Sequence, residues 1–155
     1  MKKKKKTTEI PDGLGDVFTH MGWQMITNKR SDQYKLKEEY GENFDEEGFG
    51  YIEDDKDTYY AIACTTTFGD VGDKLIVELE SGDEFNGVIA DIKSQNNKDC
   101  NEYGHQNGHC VVEFVVDKNS GEWKGYGGYK VPSRVWTLLR NNRVTKITNI
   151  DHFDF

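Results

Sequence analysis

The sequence predicts a mainly β domain: a small barrel or sandwich of five or six short strands with one or two short helices. Three observations carry this. Apolar residues alternate with polar ones along several short segments, as they do on a half-buried strand. The 155 residues include 16 Gly and only 2 Pro, a load that supplies turns and argues against a helical bundle. Aromatics reach 12%, with 3 Trp, 8 Tyr and 8 Phe, so a chain only 35% hydrophobic can still fill a core. Each buried ring removes roughly 150–250 Å² from water.

Residues 1–15 read as a disordered basic arm: five lysines, two threonines, then a Pro11-Asp12-Gly13 turn. Residues 16–58 read as an N-terminal extension packing on the barrel. Within it, residues 22–27 partly alternate and predict a short strand. Residues 31–40 predict a helix with Ser31 as N-cap, Asp32 in the first turn and Gly41 as the stop. Residues 42–50 are loop, and 53–57 form an acidic turn without calcium-loop spacing.

Residues 59–155 form the barrel domain. YYAIAC at 59–64 is a strand, and DKLIVELE at 73–80 alternates through Leu75, Val77 and Leu79. Ser81-Gly82-Asp83 turns the chain into a return strand over 84–92. A polar, Asn-rich loop follows. CVVEFVVD at 110–117 is the strongest β signal in the chain. Pro132 opens a helix running to Asn142, and RVTKITNI at 143–150 is the last strand.

Charge and cysteine content exclude several classes of function. Net charge is -8, and five of the 20 bases are lysines 2–6, which leaves 15 basic against 28 acidic residues, or −13. Such a surface repels phosphate backbones, so nucleic acid is not an expected partner. No stretch approaches the ~20 apolar residues of a membrane helix, and no apolar run follows the lysines as an export signal requires. Three cysteines make no disulfide framework. A Cys100–Cys110 bridge and three free thiols both remain open. No cofactor is expected.

From Tyr60 to Asp117 the order is a strand (YAIAC), a Phe68-Gly69-Asp70 turn, a hairpin ending in VIADIK, a polar loop, and VVEFVVD. This order resembles the three-aspartate (3D) domains and their relatives among double-psi β-barrels, which include lytic transglycosylases, rare lipoprotein A proteins and expansins. AIAC takes the place of the family's first strand, FGDVGD that of its turn, VIADIK that of its AEDTG strand, and VVEFVVD that of its last. The stretches MGWQ, QYKL, NFDEEGFG, ACTTTFG, ADIK and GHQNGHCVVEFVVD also resemble uncharacterised tail-associated proteins of Gram-positive phages and prophages. The resemblance implies a six-stranded double-psi β-barrel acting on peptidoglycan or a related wall glycan, in a virion tail or at the cell wall. Other phage tail proteins are further partners it implies. The sequence departs from the family where the first aspartate is replaced by Cys64 or Thr65, and where ADIKS stands for AEDTG.

Lytic glycan cleavage needs one carboxyl that protonates the glycosidic oxygen and then, as base, helps the muramoyl 6-hydroxyl attack. Such an acid is protonated near neutral pH through burial among apolar residues. Asp91, after Val88, Ile89 and Ala90, is the first candidate, and its alternative role is to cap the following loop. Lys93, two residues on, shares its strand face and is expected to lower its pKa. Asp117 is a supporting carboxylate or a cap on a turn amide. Glu47 resembles the glutamate that precedes the barrel in rare lipoprotein A enzymes. Trp123, Tyr126, Tyr103 and His105 are candidate sugar contacts, and the aromatic ones are otherwise core or loop cover. Cys100, His105, His109 and Cys110 offer zinc-type ligands at a spacing that matches no standard finger. A Cys–His nucleophile pair lacks a local signature. The rival readings are a non-catalytic, expansin-like glycan-binding module and a structural tail or baseplate protein.

Overall fold

The computed structural model describes residues 5–119, 139 and 141–155. Nine strands are present among them: β1 (Lys6–Glu9), β2 (Asp16–His20), β3 (Asn43–Phe44), β4 (Gly50–Glu53), β5 (Thr58–Cys64), β6 (Asp73–Leu79), β7 (Glu84–Ile92), β8 (Cys110–Val115) and β9 (Val144–His152). One α-helix, α1 (Asp32–Tyr40), and two 3-10 turns at Trp23–Met25 and Gln106–Gly108 complete the described elements.

The predicted strands at 59–64, 73–80, 84–92, 110–117 and 143–150 correspond to β5 to β9. β6 buries every second residue, which is the alternation seen in its sequence. β8 is buried at all six positions, so both of its faces are covered, and β2 and β5 pair with its two edges. Its β-branched run therefore lies inside the sheet, and Glu113 is the one charged side chain it carries there.

The strands form one mixed, unclosed sheet. Its path runs β1-β9-β6-β7-β5-β4-β3, with β8 on β5 and β2 on β8. Two pairings are parallel, β2 with β8 and β5 with β7, and the rest are antiparallel. At one end the Val144 amide donates to the Gly15 carbonyl at 2.8 Å, so the start of β9 touches the chain entering β2. Gly15 has φ +104°, and a Cβ there would overlap the Val144 carbonyl oxygen; only glycine allows that approach.

Four expectations for the first half of the chain are corrected. Residues 6–9 are not disordered arm: β1 pairs with β9, and Ile10 is buried. Residues 16–20 are not extension either, because β2 is a full partner of β8. Residues 22–27 are not a strand. The alternation there comes from a 3-10 turn that buries Trp23 completely and leaves Met25 67% exposed. The buried Lys37 ammonium holds that turn, donating to the Trp23 carbonyl at 2.7 Å, the Ile26 carbonyl at 3.3 Å and Glu42 Oε2 at 2.9 Å. The loop expected over 42–50 contains β3 and the start of β4.

α1 agrees with its reading. Ser31 Oγ accepts from the Tyr34 amide, and Gly41 ends the helix with φ 91°. The predicted helix from Pro132 lies outside the described residues, apart from positions 139, 141 and 142. The core has two parts. One surrounds Phe49, Phe68, Phe114, Leu75 and Ile147. The other surrounds Trp23, Leu36, Ile52, Tyr59 and Phe153 under α1.

Candidate functional site

Strand register builds the site. Ala63 in β5 pairs with Asp91 in β7 on one side and with Glu113 in β8 on the other, and Glu113 pairs with Phe18 in β2. Residues paired across strands project from the same face. Asp91, Ala63, Glu113 and Phe18 therefore make a row across four strands. His20, two residues after Phe18, and Lys93, two after Asp91, fall on that face as well. The small side chain of Ala63 leaves the space between the two acids open.

His20 fills the space. Its Nε2 lies 3.1 Å from Asp91 Oδ2, and its Nδ1 lies 3.7 Å from Glu113 Oε2. The first is a hydrogen bond; the second is charge proximity only. An ionised carboxylate only accepts, so Nε2 carries the proton facing Asp91. Asp91 Oδ1 accepts from Gln33 Nε2 of α1 at 3.2 Å and from the Ile92 amide at 2.9 Å. Burial pushes the Asp91 carboxyl up, but the hydrogen bonds from His20, Gln33 and the Ile92 amide outweigh it and hold the group below the ordinary carboxylate value.

That corrects the expectation of a protonated acid at position 91. The source of the lowering was also misread: Lys93 pairs with Glu113 rather than with Asp91. Glu113 is 3% exposed, and a buried carboxylate requires such a partner. Its Oε1 accepts from the Cys110 thiol at 3.5 Å. Beside this pair lies a cavity of about 240 Å³ lined by Phe18, Lys93, His105, Gln106, Cys110 and Glu113. His105 Nε2 is shielded there without a hydrogen-bond partner among the described residues.

The other sequence candidates stand elsewhere. Asp117 closes a turn: its Oδ1 accepts from Gln24 Nε2 at 2.8 Å and from the Asn119 amide at 2.9 Å. Glu47 sits in the β3–β4 turn; burial raises the Tyr60 phenol, and the charges of Asp45 and then Glu47 add to it. Tyr103 packs partly buried against the first core. Trp123 and Tyr126 lie outside the described residues. All three cysteines are free. Burial pushes the Cys64 and Cys110 thiols far up, which opposes a nucleophilic role for either. His105 forms β-bridges to Cys100 and to Cys110, and His109 is exposed. Among the described residues no three His, Cys, Asp or Glu side chains gather as a metal site.

Sequence reading found Asp91 and Lys93 but missed His20, Gln33 and Glu113. Glu113 had a legible signal, a lone acid in a run of β-branched residues. His20 and Gln33 had none, because only tertiary pairing brings them to Asp91. Compared with protein-family models, curated proteins and solved structures, the chain matches none.

Proposed function

We propose that this chain is a cell-wall-acting domain of phage or prophage origin, built as a double-psi β-barrel and cleaving peptidoglycan in the manner of a lytic transglycosylase. The fold part of the reading is supported by two parallel pairings, β2–β8 and β5–β7, joined through the antiparallel β5–β8 contact. The Val144–Gly15 bond bringing β9 to β2 supports it further. The activity rests on one observation, the hydrogen-bonded Asp91–His20 pair, with side chains 20% and 16% exposed. With Asp91 ionised, the proton for the glycosidic oxygen lies on His20 Nε2, in its bond to Asp91. The step requires His20 as the imidazolium: it gives the Nε2 proton to the glycosidic oxygen, is left as the neutral Nδ1–H imidazole, and takes the 6-hydroxyl proton at Nε2 in return, so acid and base are one ring held by Asp91.

A specific observation favours the expansin-like binding module as the second reading. Both Asp91 oxygens already accept hydrogen bonds, as suits an acid that orders a surface instead of donating a proton. The deciding experiment digests Gram-positive peptidoglycan with the parent, Asp91→Asn and His20→Gln, and reads the fragments by mass spectrometry. Release of 1,6-anhydro-muropeptides by the parent, abolished in both variants, supports the enzyme. Cosedimentation with sacculi without release supports the binding module. Neither release nor cosedimentation removes the cell-wall reading.

A further inference from the structure

A second concave surface is built by β3, β4 and the start of β5, from residues that take no part in the Asp91 row. Tyr51 pairs with Tyr60 and Glu53 with Thr58, so the two tyrosines and Glu53 project from one face. They line a groove of about 450 Å³ together with Phe44, Asp45 and Glu46. Tyr60 is held in place by edge contacts to Phe49, Phe85 and Phe114 at 5.6–6.1 Å. The floor is thus aromatic and preformed, and the rim is carboxylate.

Among the described residues no basic side chain lines the groove. Glu46 and Glu53 have no ion-pair partner among the described residues. Asp45 Oδ1 accepts from the Glu47 and Phe49 amides, which fixes the rim of the turn. Burial raises the Tyr60 phenol, and the charges of Asp45 and Glu47 raise it further, so the field at the floor is negative. The hydroxyls of Tyr51, Tyr60 and Thr58 also line the groove and can donate, but every charged side chain among the described lining residues is a carboxylate, which a neutral sugar leaves uncompensated and a cation neutralises. An alkylammonium matches every component: its charge sits over ring faces and between carboxylates, and its methylenes cover the rings.

We propose that the β3–β4–β5 groove binds the side chain of a lysine presented by a peptide partner. The excess of acids over bases in the chain raises the local concentration of such cations.

The test is a ¹H–¹⁵N NMR titration of the full chain with a capped Gly-Lys-Gly peptide, its norleucine counterpart and N-acetylglucosamine. The lysine peptide is expected to shift the amides of Tyr51, Glu53 and Tyr60, and raised salt to weaken binding. Norleucine is expected to bind at least about tenfold more weakly, a loss of the size of one desolvated cation–π contact. Tyr51→Ala and Glu53→Gln are each expected to weaken the lysine peptide severalfold, and Glu53→Gln changes an exposed side chain without disturbing the core. Equal binding of norleucine, shifts from N-acetylglucosamine alone, or no shift with the lysine peptide would each overturn the proposal. The readout is independent of peptidoglycan release, so it survives or fails separately from the cell-wall reading.

Discussion

Replacing Lys93 by Ala removes the cation from a carboxylate that has almost no access to water. Glu113 is 3% exposed, and its Oε2 faces Lys93 and, at 3.7 Å, His20 Nδ1. Breaking a buried pair from one side costs about 3–5 kcal/mol, because the remaining charge stays desolvated. Against a total stability of about 5–15 kcal/mol for a domain, that is a large fraction. Glu113→Gln is the milder change: the Lys93 side chain is 14% exposed and can turn its ammonium to water. We expect it to cost about 1–2 kcal/mol. The double variant lacks both charges, so it is expected to be more stable than Lys93→Ala alone, with a coupling of about 2 kcal/mol or more. Urea unfolding of the parent, both single variants and the double variant at neutral pH measures this cycle. A Lys93→Ala cost below about 1 kcal/mol, or additive costs in the double variant, would refute the claim that the pair is a desolvated unit.

Three further outcomes follow from the same geometry. Gly15→Ala forces a Cβ onto the Val144 carbonyl oxygen at φ +104°, and should lower stability by about 2–4 kcal/mol in thermal or urea unfolding; unchanged stability would show that β9 does not meet β2 there. At Asp54, slight burial opposes ionisation, but the bonds from Lys74 and from the Asp57 and Lys56 amides prevail and lower the carboxyl from 3.8 to about 2. A depressed folded value means that this stabilisation is complete above pH 3.8 and lost as pH falls toward 2. Asp54→Asn should therefore cost about 1 kcal/mol at neutral pH, with the gap to the parent closing over that acid window in urea midpoints. In the folded chain a neutral aromatic disulfide reagent should titrate Cys100 rapidly and leave the buried Cys64 and Cys110 unreacted until urea is added; rapid reaction of all three would contradict their burial.

The strands from β5 onward, and α1 before them, were legible because their signals are local. β6 and β7 follow from alternation around a Ser-Gly-Asp turn, and β8 from its β-branched run. α1 follows from a capping serine and a terminating glycine. The first half was read less well. β1 is a short polar segment with no apolar face, and it is a strand because β9 offers it a free edge. The 22–27 segment alternates like a strand, yet Lys37 captures its carbonyls and makes it a turn. Neither partner is adjacent in sequence.

The site divides in the same way. Asp91 stood out because an acid interrupts an apolar strand, and Lys93 because two-residue spacing returns to the same face. Those are properties of one strand, so the sequence alone determined them, along with the mainly β architecture. The charge state of Asp91 depends on His20, 71 positions away, and on Gln33, 58 positions away. The partner of Lys93 is set by the register of β7, β5 and β8 around Ala63. Only the tertiary structure decided these, because long-range register and burial act between segments that carry no mark of each other.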